Sequence, residues 1–228
     1  MDIIKEYYNI SNKLFLGFWD QNNIILIDNI QKKQIYLWVK SIMFFHNNAT
    51  ILLYTRKEII PPNTIIITGL TIIYIENNFK NIFNNTPLEY LEFDKIISKP
   101  ELSDIVRIAL LYKYGGTWLD IDDIVIRKFP EEKNIIGTFL WENNKKTASY
   151  WGTTFNLIDG SAISEKYNDF GFHIQNDPMI NWEKNNKFLY IWMQKIKEYK
   201  SSDWGQKIPT DIIKNNLSII IENNINLI

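Results

Sequence analysis

The sequence predicts an α/β domain built on a mixed, mainly parallel sheet. Three observations predict it. Short apolar strands alternate with amphipathic helical stretches, 228 residues suit a single domain of this kind, and the pair Gly115–Gly116 separates an apolar helix from a β-prone run.

Taken in order, residues Leu14 to Phe18 form a short apolar run ending at Trp19 and Asp20, which suits a buried first strand with its functional end at Trp19. Between Gln31 and Phe45, the apolar positions Ile35, Trp38, Ile42 and Phe45 have helical spacing. Thr50 to Thr55 (TILLYT) reads as a strand. Pro61 and Pro62 break the chain, and Thr64 to Thr68 reads as the next strand. Leu88 to Ile97 suggests a short helix. Pro100 sits near the start of a longer one, Glu101 to Tyr114, which Gly115 and Gly116 stop. Thr117 to Ile126 is β-prone and interrupted only by Asp120, Asp122 and Asp123. Ile135 to Trp141 and Trp151 to Ile158 read as strands. Asp177 and Pro178 suit the N-cap and first position of a helix running to about Tyr199. Pro209 to Asn216 reads as a short helix and Leu217 to Ile221 as a terminal strand. With no internal repeat and no long linker, residues 1–228 are taken as one domain.

Composition narrows the chemistry. A formal net charge of −1 gives no basic footprint for nucleic acid. The absence of cysteine excludes disulfides, thiolate metal sites and cysteine nucleophiles. With His46 and His173 the only histidines, a metal would be held mainly by oxygen, which favours Mg²⁺, Mn²⁺ or Ca²⁺. The first residues lack the pattern of a signal peptide, and no apolar run approaches the ~20 residues of a membrane span. A soluble, cytoplasmic protein is the expectation.

The chemistry-bearing stretch is SDIVRIALLYKYGGTWLDID, Ser103 to Asp122. Its first half is a helix apolar nearly all round, hence buried. Asp104 and Arg107 nonetheless share one face of it, three residues apart. Burying two ions costs several kcal/mol each unless they are paired, so this face either lines a polar site or holds a local ion pair under an N-cap at Ser103. Read as a strand, the following segment turns Asp120 and Asp122 to one side. Two such carboxylates repel unless a cation lies near, and a divalent ion there could also take diphosphate oxygens.

The string S-D-x-x-R followed by L-Y-x-x-G-G-x-W-x-D-x-D resembles the DXD sugar-binding region of a glycosyltransferase family. That family includes yeast-type α-mannosyltransferases and capsular polysaccharide synthesis proteins, and the large clostridial glucosylating toxins share its logic more distantly. The resemblance is densest from Pro100 to Pro130. Phe15 to Trp19 looks like the family's first strand, and Leu37 to Thr55 like its helix and second strand. WGQKIPTDIIKNN, Trp204 to Asn216, looks like its later G-P motif, with Gln206 standing where proline is usual.

The resemblance implies a GT-A fold, which is Rossmann-like, and transfer with retention from a nucleoside diphosphate sugar (UDP- or GDP-linked) to a glycan or glycoconjugate acceptor. Mn²⁺ or Mg²⁺ would be the cofactor and polysaccharide biosynthesis the setting. Residue by residue, Trp19 would stack on the base, and Asp104 and Arg107 would hydrogen-bond the donor sugar, Arg107 also lying near the diphosphate. Gly116 would let backbone approach the donor, and Trp118 would stand beside it. Asp120 would contact donor and metal, and Asp122 would ligate the metal directly. Asp104, Arg107 and Asp120 are the candidate catalytic residues.

Other features carry weaker signals. Asp123 departs from the family pattern; on a strand it would face away from Asp122 as a solvated charge, with a supporting or ligating role as the alternative. His173 reads as a solvated loop residue, or as a further metal ligand. Trp182 and Trp192 are expected in the core, while Trp141, Trp151 and Trp204 could be sugar platforms. Two other functions fit parts of the pattern: a GT-A domain that binds sugar or nucleotide without turnover, and an aspartate-nucleophile phosphatase, whose first aspartate of a D-x-D is phosphorylated.

Overall fold

The computed structural model describes residues 13–20, 26–75, 80–91, 99–142, 145–146 and 171–227. In chain order the main elements are β1 (Leu14–Trp19), α1 (Asn29–Phe45), β2 (Thr50–Thr55), β3 (Leu70–Tyr74), α2 (Lys80–Phe83), α3 (Lys99–Tyr114) and β4 (Gly116–Trp118). They continue with β5 (Ile135–Glu142), β6 (Lys145–Lys146), β7 (Gly171–Trp182), α4 (Lys187–Lys195), α5 (Lys207–Asn215), α6 (Ser218–Glu222) and β8 (Asn226–Leu227). One sheet joins the strands in the order β3-β2-β1-β4-β7-β5-β6, with β8 beside β5. The first four are mutually parallel, and β7 and β6 run antiparallel to their neighbours. This is the mixed α/β sheet of the GT-A class.

The parallel strands are buried on both faces, which is why they read as continuous apolar runs. Phe15, Ile51 and Leu53 point to one face, where they meet Ile35, Trp38, Val39 and Ile42 of α1. Leu16, Phe18, Leu52 and Tyr54 point to the other, against Ile105, Val106 and Ala109 of α3 and Phe188 and Trp192 of α4. Helix α1 starts where Asp28 and Gln31 exchange side-chain-to-backbone hydrogen bonds of 2.8 and 3.0 Å, a capping box. Helix α3 ends at Gly115 and Gly116, both at positive φ (+69° and +97°). A Cβ on Gly116 would stand 2.7 Å from the Leu14 carbonyl oxygen, so this glycine is required for β4 to seat on β1. Trp182 and Trp192 are core residues, as expected.

Several sequence expectations are corrected. The third strand is Leu70–Tyr74; Thr64 to Thr68 is an irregular connection that Gly69 (φ +88°) turns into it. Thr117 to Ile126 is a strand only to Trp118, because Asp123 N–H donates to the Asp120 carbonyl at 3.0 Å and closes a turn. Asp177 and Pro178 lie in β7 and start no helix; α4 begins later, capped by the Asn186 side chain. Leu217 to Ile221 is largely helix α6, because one helical turn buries both Ile219 and Ile220 in the core where an extended run would bury only alternate residues. Leu88 to Leu91 forms a turn. The remainder of the helix expected to Ile97 is outside the described residues, as is the strand expected from Trp151 to Ile158.

His46 caps the outer end of α1 and is buried between Phe15 and Phe129, with ring centroids at 5.1 and 5.3 Å. Its Nε2 accepts the Phe129 backbone N–H at 3.3 Å. Burial, then the charges of Lys13 and Lys128, push its pKa below the ordinary 6.5, against a smaller opposing pull from Glu131. As pH falls the unfolded chain takes up this proton before the folded one, so the stabilisation is complete above pH 6.5 and is lost as pH drops toward the folded value. Urea unfolding at about pH 7.5 and about pH 5.5 should therefore show a steeper loss in the wild type than in His46→Gln, which keeps a polar side chain but cannot titrate. Parallel losses in the two proteins would remove His46 from the account.

Candidate functional site

The site forms where β1 and β4 end side by side. Strands β2 and β3 extend the sheet to one side of β1, and β4 opens the other half, so the carboxyl ends of β1 and β4 flank the point where strand order reverses. Open α/β sheets bind ligands in this crevice. Trp19 closes β1, and Asp120 follows β4 by two residues.

Asp120 is held from below. Arg107, on the buried face of α3, donates from Nη2 to both Asp120 carboxylate oxygens at 2.9 and 3.2 Å. Trp118 Nε1 donates to the same carboxylate at 2.8 Å, and the guanidinium lies 5.2 Å from the Trp118 ring centroid. Arg107 is 3% exposed, whereas the Asp120 side chain is 37% exposed. The arginine thus stands behind the aspartate and presents it outward. Burial works against the Arg107 charge, but Asp120, Asp177 and Asp104 together hold its pKa above the ordinary value.

The third wall comes from an irregularity in β7. Ile136 of β5 pairs with Met179, yet the next residue, Gly137, pairs with Gln175. Asn176, Asp177 and Pro178 therefore bulge out of the ladder. Proline has no N–H to give to a ladder and is tolerated at such bulges, and bulges re-aim side chains beside functional sites. Here the bulge supplies three contacts. The Asn176 carbonyl accepts from Arg107 Nη1, the Asn176 amide donates to Asp104 Oδ1 at 2.5 Å, and Asp177 Oδ1 accepts the Asp120 backbone N–H at 3.1 Å. Thr210 of α5 accepts from the Ile174 N–H at 2.8 Å, which ties α5 to β7 just before the bulge.

Gly205 closes the far side. A Cβ there would stand 2.5 Å from Asp104 Oδ2 and 2.7 Å from Asn176 Nδ2, so any side chain at this position would have to push this pair aside. Its place is fixed by Trp204, whose Nε1 donates to the Ile196 carbonyl at 3.2 Å and whose carbonyl accepts from Trp192 Nε1 at 2.8 Å. Trp204 is thus a buried anchor, with its ring away from solvent.

Carboxylates outnumber cations here. Burial, then repulsion from Asp120, raises the Asp177 pKa well above the usual carboxylate range. Asp123 and Asp177 lie close together, and the charge of Asp123 further disfavours ionisation of Asp177. Burial raises Asp123 too, with Asp120 and Asp122 adding to the effect. Burial likewise raises Asp104, opposed by Arg107 and by the Asn176 hydrogen bond. Asp123 Oδ2 is buried with no hydrogen-bond partner among the described residues. Asp122 is exposed at the tip of the turn. The turn pairs Asp120 with Asp123 rather than with Asp122, so the strand-based expectation for Asp123 as an outward solvated charge does not hold. At the mouth of the crevice, Trp19 is partly buried and its Nε1 has no partner among the described residues. His173 lies on β7, and its side chain is outside the described set, like those of Trp141 and Trp151.

Sequence reasoning misses Asn176, reads Asp177 only as a helix cap, and places Gly205 only as the glycine of the later G-P motif. The usable signal was N-D-P inside an apolar, strand-like run, because proline there marks a bulge.

Residues 21–146 match the family described as "Glycosyltransferase sugar-binding region containing DXD motif", more than half of the chain. The chain belongs to this family. The match displaces the phosphatase alternative. The lactosylceramide 4-alpha-galactosyltransferase of Rattus norvegicus is 26% identical over 138 residues, 58% of this chain and 30% of the relative. The human enzyme of the same name is 49% identical over 39 residues, 17% of this chain and 11% of the relative. The chain thus spans less than a third of the length of these curated relatives. Among solved structures, the PaToxG glycosyltransferase is 16% identical with a TM-score of 0.51, covering 93% of this chain and 74% of that one; the likeness is one of fold. No helix among the described residues is long and apolar enough to cross a membrane.

Replacing Asn176 by alanine strands the buried Asp104 carboxylate while keeping the backbone carbonyl that serves Arg107. The variant should lose about 1–3 kcal/mol of unfolding free energy. In an Asp104→Asn background the loss should shrink, and a double-mutant cycle by urea denaturation measures the difference. Equal losses in both backgrounds would mean the two side chains are not coupled.

Proposed function

We propose that the chain is a metal-dependent glycosyltransferase that moves a sugar, with retention, from a nucleoside diphosphate sugar (UDP- or GDP-linked) to a glycan or glycoconjugate acceptor. One observation carries the reading: Asp120 is presented by a buried arginine and a tryptophan at the sheet's switch point, amid further carboxylates. Family membership and the names of the relatives support glycosyl transfer as the reaction class.

A divalent cation fits the donor set. Its atoms are all oxygens, Asp123 Oδ2 is a buried acceptor without a partner among the described residues, and a cation would offset the burial and the repulsion from Asp120 that raise Asp123 and Asp177. Among the described residues no three acidic or histidine side chains form a complete metal cage. The protein would therefore offer one or two carboxylates and leave the other positions to phosphate oxygens and water, as is usual for Mg²⁺. Asp122 and Asp120 are the residues that would hold Mn²⁺ or Mg²⁺, which would supply charge neutralisation on the departing diphosphate.

The chain's own groups divide the remaining work. Trp19, partly buried at the end of β1, would stack on the base. Trp118 and Arg107 fix the Asp120 carboxylate, so that it need not reorganise when donor arrives. Asp104, held by Asn176 and Gly205, stands ready to accept from a sugar hydroxyl. Arg107 acts through Asp120, as a positioning residue.

Because Asp122 is exposed, Asp122→Ala should leave the melting temperature of the free protein unchanged. With Mn²⁺, a matching nucleotide sugar at about a hundredfold excess over its Kd should raise the wild-type Tm by roughly 5–10 °C. The variant should lose this shift. A donor-induced shift that survives in Asp122→Ala, or that is unaffected by a chelator, would remove the metal from the account.

A further inference from the structure

Helix α1 buries one face and leaves another without a partner among the described residues. Ile30, Leu37 and Phe44 recur every seven residues and so form one stripe along the helix. They are 77%, 53% and 81% exposed. The adjoining strip carries Lys33, Tyr36 and Lys40, all exposed, with Lys40 Nζ 5.4 Å from the Tyr36 ring centroid. Helix α1 contains three lysines and no acidic residue.

The segment that follows the Asp120–Asp123 turn runs beside this stripe. The Val125 backbone N–H donates to Ser41 Oγ at 3.1 Å, and Ser41 lies one helical turn from both Leu37 and Phe44. Val125 is buried, while its neighbours Ile124 and Ile126 are exposed, and Arg127 and Lys128 follow, also exposed. Five exposed apolar side chains and four basic ones thus share this side of the molecule. The turn that bears Asp120, Asp122 and Asp123 is at its border.

We propose that this surface docks the protein on an anionic lipid bilayer. An apolar stripe flanked by lysines and a tyrosine is the pattern of a helix that lies in the membrane interface, apolar side chains among the acyl chains and cations at the headgroups. Within helix α1 the charges beside the stripe are all positive, which suits a negatively charged leaflet, where basic residues near the surface add to the attraction. A second copy of the same surface would set lysines against lysines, which disfavours self-association as its use. Docking in this orientation would hold the DXD turn close to the lipid headgroups.

The test is co-sedimentation with vesicles of phosphatidylcholine alone and of phosphatidylcholine mixed with phosphatidylserine. It requires neither donor nor metal, so its outcome is separate from that of the proposed transferase activity. The wild-type chain should bind the mixed vesicles, more weakly as salt rises, and should bind neutral vesicles poorly. Leu37→Asp/Phe44→Asp should lower the vesicle partition coefficient by about tenfold or more. Both side chains point to solvent, so the Tm should hold. Should that variant misfold, Lys33→Glu/Lys40→Glu reads the same surface through charge. Failure of the wild type to bind either vesicle would overturn the proposal. So would binding that neither variant weakens, or a stable dimer in free solution that Leu37→Asp/Phe44→Asp dissociates.

Discussion

Arg107 is a buried cation among the apolar residues of the α3 core face, and the rest of the site is arranged around satisfying it. Its two terminal nitrogens are bound by groups from different parts of the sheet, the Asp120 carboxylate after β4 and the Asn176 carbonyl in β7. Breaking a buried ion pair by removing one partner typically costs about 3–5 kcal/mol. That is a sizeable share of a domain's stability of roughly 5–15 kcal/mol. The guanidinium therefore locks α3, β4 and the β7 bulge into one relation. The orientation of Asp120 follows from that lock, and the acidic groups around it are held close enough to repel one another.

The same arrangement explains how structure and chemistry share residues. Trp118 is fully buried, and its indole N–H finds its acceptor in the carboxylate that faces the crevice. Asp104 is satisfied by a side chain from the bulge and shielded by a glycine from the C-terminal segment. The groups that line the crevice are therefore also groups that hold the fold together.

The parts of the fold that were legible in the sequence are those with strong local periodicity. The strand Thr50–Thr55, the α1 stripe and the helix ended by Gly115 and Gly116 each carry their own pattern. The grouping of Asp104, Arg107 and Asp120 was legible because those residues lie within a short span of chain. What was not legible depends on partners distant in sequence. Thr117 to Ile126 has the composition of a strand, but the carboxylate of Asp120 is drawn to Arg107 and the chain turns. Asp177–Pro178 has the local form of a helix start, but pairing of the flanking residues with β4 and β5 makes it a bulge. Leu217 to Ile221 is rich in β-branched residues, but burial of Ile219 and Ile220 in the core outweighs propensity.

The family match ends at residue 146, yet the groups that steady its signature residues stand later, at Asn176, Asp177 and Gly205. The DXD segment is thus not a self-sufficient module. A chain cut after the matched region would retain every signature residue and expose an arginine with half its ligands missing. In this chain, then, the backbone path near the bulge is as much a condition for the signature residues as the residues themselves, although it lies some thirty positions beyond the matched region.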